Sequence, residues 1–347
     1  MGKSIGLALV TFTFVGCLGI WMGGCQTPEQ KVEKLISKLQ NKNPKNRQSA
    51  EAALTKMGTI AVPALIQALQ DPKIRQRVVG VLAKIGEDAS DAVPALIKTL
   101  QYPDVNWHVV EALAKVGRNS VPDLVQALQD PKIRQYVVGI LAKIGEDASD
   151  AVPALVQLLP DGDVNVRASA AKALGAIGKG AVDAVPSLVQ LLPDEDTNVR
   201  INAAEALAEI GRDAVPALVQ LLPDEDTNVR ASAVWTLAKI GKAAVPALIQ
   251  TLQDKNAQTR ISAAGILGQI ETLDAAPTLI QALQDPDSRV RREAALALGH
   301  IAAVDAVSAL IQLLQDENEY VRFNAVSALK QIGTTEALKA AEEYELR

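Results

Sequence analysis

Eight prolines recur along the chain at a nearly constant interval: Pro63, Pro94, Pro122, Pro153, Pro186, Pro216, Pro246 and Pro277, spaced by 28 to 33 residues, with Ser308 in the next place. A period near 30 marks a repeat array, in which each unit is one supersecondary element unable to bury its apolar face alone. The copying is literal in places, since residues 67–98 and 126–157 agree at 28 of 32 positions. Length alone would divide 347 residues into two average domains. The period replaces that division with a single stack.

Within one period, residues 184–192 read as a first helix with Pro186 in its opening turn, where a missing N–H costs nothing. Residues 193–196 form the turn. A second helix is expected over 197–210, with Val199, Ala203, Leu207 and Ile210 on one face, and Gly211 stops it as a left-handed cap. Apolar residues make up 48% of the chain and aromatics only 3%, so the core is built from Ala, Val, Leu and Ile. Ten units fit. The first pairs residues 29–39 with 45–57, the last ends at Gly333, and the Glu- and Lys-rich residues 334–347 read as a polar capping helix.

The run Leu192-Pro193-Asp194 in the turn, Val199-Arg200 opening the second helix and the closing Ile210-Gly211 resemble the short HEAT-like repeats of bacterial and cyanobacterial proteins, the phycobilin-lyase group included. The resemblance covers about residues 28–347. It implies an all-α fold, a right-handed α-solenoid of about ten two-helix repeats, with the second helices lining a concave binding surface. Bilin-handling members of that group act on phycobiliproteins inside the cell, and this supplies an alternative function. Another HEAT-like class, the deoxyhypusine hydroxylases, depends on His-Glu pairs that hold iron. Here His108 precedes Val109 and His300 precedes Ile301, so those pairs are missing.

The first thirty residues read as an address. Lys3 is followed by an uncharged stretch over residues 5–22 that leads through Gly23 and Gly24 to Cys25. A positive start, an apolar core and small residues before a cut make a secretory signal. The arrangement resembles a bacterial lipoprotein signal over residues 1–24, with Cys25 lipidated and residues 25–28 as a short tether to a solenoid over 29–333. Cys17, after Phe14-Val15-Gly16, is a second candidate, and an uncleaved spanning helix is a third. A simply secreted protein is a further reading, and all of them place the body outside the cytoplasm; the lipoprotein reading places it in a bacterial cell envelope.

Cys17 and Cys25 are the only cysteines and His108 and His300 the only histidines, so the body holds no disulfide framework and no His- or Cys-based metal cluster. No catalytic constellation and no cofactor are expected. The net charge of -5 argues against a nucleic-acid partner. That sum conceals an asymmetry: residues 26–145 carry 17 basic and 11 acidic side chains, while residues 146–347 carry 17 and 29. A basic N-terminal half beside a lipidated Cys25 points to a membrane on one side and a protein or peptide partner on the other.

Eleven residues before each unit's close stands an arginine, among them Arg200 and Arg230, and aspartates such as Asp194 and Asp224 recur in the turns. The series reads either as a phosphate-binding arginine ladder or as Asp-Arg pairs that tie neighbouring turns. Unit three has Tyr102 and Asn106 in these places, losing both members at once, which favours pairs. The variable positions lie nine, six and two residues before the close, one stripe on the second helix. Along it run Arg77, His108 and Tyr136, then Lys84, Lys115 and Lys143, a basic face with aromatics. Trp235 stands further on, among small residues, as a candidate partner anchor. Trp107 falls outside the stripe but adjoins His108, and unit three is the first candidate for a specific contact. The reading that follows is a membrane-tethered binding scaffold without chemistry of its own.

Overall fold

The computed structural model describes residues 26–104 and 106–346, and every regular element among them is helical. Cys17, Cys25 and the apolar leader lie outside the described residues. Ten second helices follow one another: Pro44–Met57, Arg75–Ile85, Asn106–Val116, Arg134–Ile144, Val164–Ile177, Thr197–Ile210, Thr227–Ile240, Ala257–Ile270, Ser288–His300 and Glu319–Ile332. Each is preceded by a shorter first helix, and Thr335–Glu345 closes the array. The fold is an all-α solenoid.

Position-specific burial builds the core. The leucine four residues before each unit's close, from Leu54 and Leu82 to Leu298 and Leu329, is fully buried, as is the first-helix series from Leu65 and Leu96 to Leu279 and Leu310. From unit two onward every unit thus contributes one leucine from each helix to a continuous seam, the stacking a short hairpin needs.

The closing residues divide into two kinds. Gly58, Gly86, Gly145, Gly178, Gly211 and Gly241 combine positive φ with ψ near -130°, the mirror image of extended backbone, which admits glycine alone. That geometry turns the chain directly into a short 3-10 segment. Units eight and nine close instead on Glu271 (φ 55°) and Ala302 (φ 48°), and Glu271 sits in the left-handed helical region that a side chain tolerates. The expected left-handed cap holds for Glu271 and Gly333, while the six glycines take a different turn.

The spacing between successive second helices is not uniform, and two positions set it. A Cβ on Gly175 would lie 3.0 Å from Ala206 Cα, on Gly268 2.9 Å from Ala297 Cα and on Gly299 2.8 Å from Ala328 Cα. These junctions, five to six, eight to nine and nine to ten, are the tightest in the array. The equivalent pairs are Ala208 with Thr236 between units six and seven, and Ala238 with Ile266 between seven and eight. Larger side chains there hold the helices apart, and unit seven is the most loosely packed against its successor.

Candidate functional site

Helix spacing governs the arginine ladder. At the tight junctions the guanidinium forks the carboxylate of the next unit: Arg167 Nε and Nη2 donate to Asp194 at 2.9 and 3.1 Å, Arg260 to Asp285 at 2.7 and 2.8 Å, and Arg291 to Asp316 at 2.7 and 2.9 Å. The remaining amino group donates to carbonyls of the arginine's own turn, as Arg291 does to Asp285 O at 2.9 Å. Such bidentate geometry is available to Arg and not to Lys. Hydrogen bonds from Arg291 hold the Asp316 carboxyl below its ordinary range against the opposing effect of burial. At Asp194, burial is the largest influence and raises the pKa, but Arg167 and the Asp196 N–H outweigh it and the net shift is downward.

Asp194 therefore pairs with Arg167 of the preceding unit, not with Arg200. Arg200 donates to the Asp194 carbonyl at 2.7 Å and to Thr197 Oγ1 at 2.8 Å, and Arg230 does likewise with the Asp224 carbonyl at 2.6 Å and Thr227 Oγ1 at 3.3 Å. Among the described residues neither guanidinium pairs with a carboxylate, and Asp224 accepts instead from the Asp226 N–H. Both arginines sit at junctions more loosely packed than those of Arg167, Arg260 and Arg291.

Unit three repairs the ladder with other chemistry. Tyr102 lies under Arg75, the guanidinium carbon 4.1 Å from the ring centroid, and Asn106 Nδ2 donates to Tyr136 Oη at 2.9 Å. Tyr102 and Asn106 are not partners of each other. Each replaces one half of a link to a different neighbour, which corrects the reading of a jointly lost pair. His108 Nε2 lies 2.9 Å from Gln76 Nε2, a further link to unit two.

The basic face is largely satisfied within the chain. Lys84 meets Glu51 at 3.6 Å, and Lys115 and Lys143 share Glu111 at 3.4 and 3.5 Å. The Lys115 hydrogen bond lowers the Glu111 pKa, with burial opposing it. Lys143 also stands 4.9 Å from the centroid of Trp107, which is 65% exposed. Trp107 thus belongs to the exposed face: it lies ten residues before the close, one turn before Glu111 and two before Lys115. The solvent-facing stripe runs on positions ten, six and two, while nine is half-buried at Arg77 and His108. Spacing of four from Trp235 back to 231, or from Glu205 back to 201, would have found it.

Ile201, absent from the candidates read from sequence, stands on that stripe ten residues before Gly211. Ile201 is 49% exposed and Trp235 46%, and together with Arg200, Ala204, Ala231 and Ser232 they line an apolar cavity of about 380 Å³ between units six and seven. A second cavity of about 350 Å³ lies on the other side of Trp235, against Gln258 and Ser262 of unit eight. Lys239 Nζ caps the indole at 5.0 Å. Trp235 is a wedge between helices already held apart by Thr236 and Ile266. Among the described residues no group of acidic, His or Cys side chains is placed to hold a metal ion.

Sequence matches to HEAT repeats cover residues 32–115, 62–132, 121–196, 185–257, 245–312 and 276–344. None of the curated proteins compared with the chain matches it. Among solved structures, the karyopherin Kap121p bound to the extreme C-terminus of the protein phosphatase Cdc14p is similar over 95% of this chain and 43% of its own, at 14% identity and a TM-score of 0.50. Kap121p bound to Pho4p is similar over 91% and 42%, with the same identity and score. Human deoxyhypusine hydroxylase in complex with glycerol is 26% identical over 70% of this chain and 96% of its own, with a TM-score of 0.30. The karyopherin likeness shows a shared fold.

Proposed function

The chain belongs to the HEAT-repeat family, and we propose that it is a protein-binding scaffold whose partner, a protein or peptide, docks on the exposed face of the second helices at units six to eight. The observation that carries this reading is Trp235, a half-exposed indole flanked by two cavities, one of them at the most open junction of the array. Large aromatics beside preformed apolar pockets are the commonest anchors of interfaces. The scaffold has no chemistry of its own in this reading. It is held to a bacterial envelope membrane through a lipidated Cys25, with its basic N-terminal units nearest the lipid.

Recovery of partners from solubilised membranes tests the docking. Trp235→Ala is expected to abolish capture of the partner while leaving the melting temperature nearly unchanged, and equal loss of both would mean that the indole serves packing. The combined Trp107→Ala and His108→Ala change should weaken capture less, since both side chains have partners within the chain. Cys25→Ser should remove fatty-acid labelling; labelling that persists would move the anchor to Cys17. The second reading, a bilin-handling protein, rests on the repeat resemblance, and a tetrapyrrole absorbance band in the purified protein would decide for it.

A further inference from the structure

The open junction between units one and two carries a different feature from those around Trp235. Thr55 and Val81 occupy the spacing positions there, and the two second helices are loosely packed. Arg47 consequently does not reach Asp71, the acid that would continue the ladder. Its Nη1 donates to the Asn41 and Lys42 carbonyls at 2.7 and 2.9 Å, while Asp71 accepts from Gln40 Nε2 at 2.8 Å and from the Lys73 N–H at 2.9 Å. Each oxygen of the Asp71 carboxylate thus accepts from a neutral donor.

The space this leaves is a cavity of about 250 Å³ lined by Lys42, Arg47, Lys73 and Arg77, with Gln40 and Asn41 and no acidic side chain. Among the described residues, none of these four cations lies within ion-pair distance of a carboxylate. The other open junctions differ: each cavity beside Trp235 holds one arginine and no further cation. Four cations around one concave space, with the Asp71 carboxylate beside them turned to Gln40 and the Lys73 N–H, leave the site net positive, and two guanidinium groups match the oxygens of a tetrahedral anion.

We propose that this cavity is a phosphate-binding site, taking a doubly charged phosphate group through Arg47 and Arg77, with Lys42 and Lys73 as flanking cations. The phosphate is presented by a lipid headgroup or by a soluble phosphate ester or diphosphate. The site is independent of the groove at Trp235, and either stands without the other.

The test is calorimetric titration of the full chain in neutral detergent micelles at low salt, with pyrophosphate in one arm and dihexanoyl phosphatidic acid in the other. Saturable one-to-one binding is expected in at least one arm, weakened about tenfold or more by the double change Arg47→Gln and Arg77→Gln, since each removes a charge-assisted contact. The charge-matched control, Lys98→Gln with Lys132→Gln, should bind as the unchanged chain does. Selective binding of the lipid assigns the headgroup as source, and binding of pyrophosphate alone assigns a soluble phosphate. If the arginine double variant fails to fold, Lys73→Gln on its exposed side chain should still give a smaller loss. Absence of saturable binding in both arms, or equal weakening by the control, would overturn the site.

Discussion

Gly299 faces Ala328 so closely that a Cβ on the glycine would lie 2.8 Å from the alanine Cα. Backbone contact of this kind leaves no room for a methyl group. Gly299→Ala is therefore expected to destabilise the array by about 1–3 kcal/mol through overpacking. Gly139, also helical, has nothing within 4 Å of a Cβ, and Gly139→Ala should stabilise by about 0.5–1 kcal/mol through the loss of glycine's backbone freedom. Thermal melts of the two variants should shift in opposite directions.

The ladder acids should differ by junction. Asp316→Ala removes the forked acceptor of Arg291, a buried side chain, leaving it Glu317 at 3.6 Å and the carbonyls of its own turn, and should cost about 1–3 kcal/mol. Asp224→Ala removes an acceptor for one backbone N–H and should cost less than about 1 kcal/mol. Equal losses in urea melts would show that spacing does not govern the ladder.

In unit three, Tyr102→Ala should cost about 1 kcal/mol through loss of the stacked ring under Arg75. Tyr102→Asp should recover most of that loss without any change at Asn106, because Asn106 is linked to Tyr136. A melting temperature for Tyr102→Asp below that of Tyr102→Ala would contradict the substitution of one link for another.

Acid sensitivity follows from the ladder carboxylates and from Asp287, which caps the helix Ser288–His300 and accepts from Arg289. Asp287 is lowered to about 2 by hydrogen bonding from Arg289, with burial opposing, and Asp194 and Asp316 are lowered as well. A carboxyl lowered in the folded chain contributes stability above its unfolded pKa of about 3.9 and loses it as pH falls through the folded value. The melting temperature should be nearly flat from neutrality to about pH 5 and fall from about pH 4 towards 2. Asp316→Ala should flatten part of that fall.

The repeat and its helices were legible because each rests on a spacing that recurs along the chain. The functional face was legible only in part. A stripe drawn through positions nine, six and two placed Trp107 outside and passed over Ile201, since three- and four-residue steps both suit a helix and only packing against the next unit decides which side chain is covered. Arg200 and Arg230 look identical in sequence to Arg167, yet they lack its acidic partner because Thr236 and Ile266, on other helices, set the distance. Pairing across units is a tertiary property, readable from the glycine and alanine positions once their role is known.

The docking claim is tested most directly by photo-crosslinking in the intact cell, with a benzophenone side chain in place of Ile201 on the groove and, separately, in place of Ile60, which is also exposed but lies in the 3-10 segment closing unit one. A discrete protein adduct is expected from position 201 that disappears when Trp235→Ala is added, and no such adduct from position 60. The same adduct from both positions, or one from position 201 that persists without the indole, would contradict it.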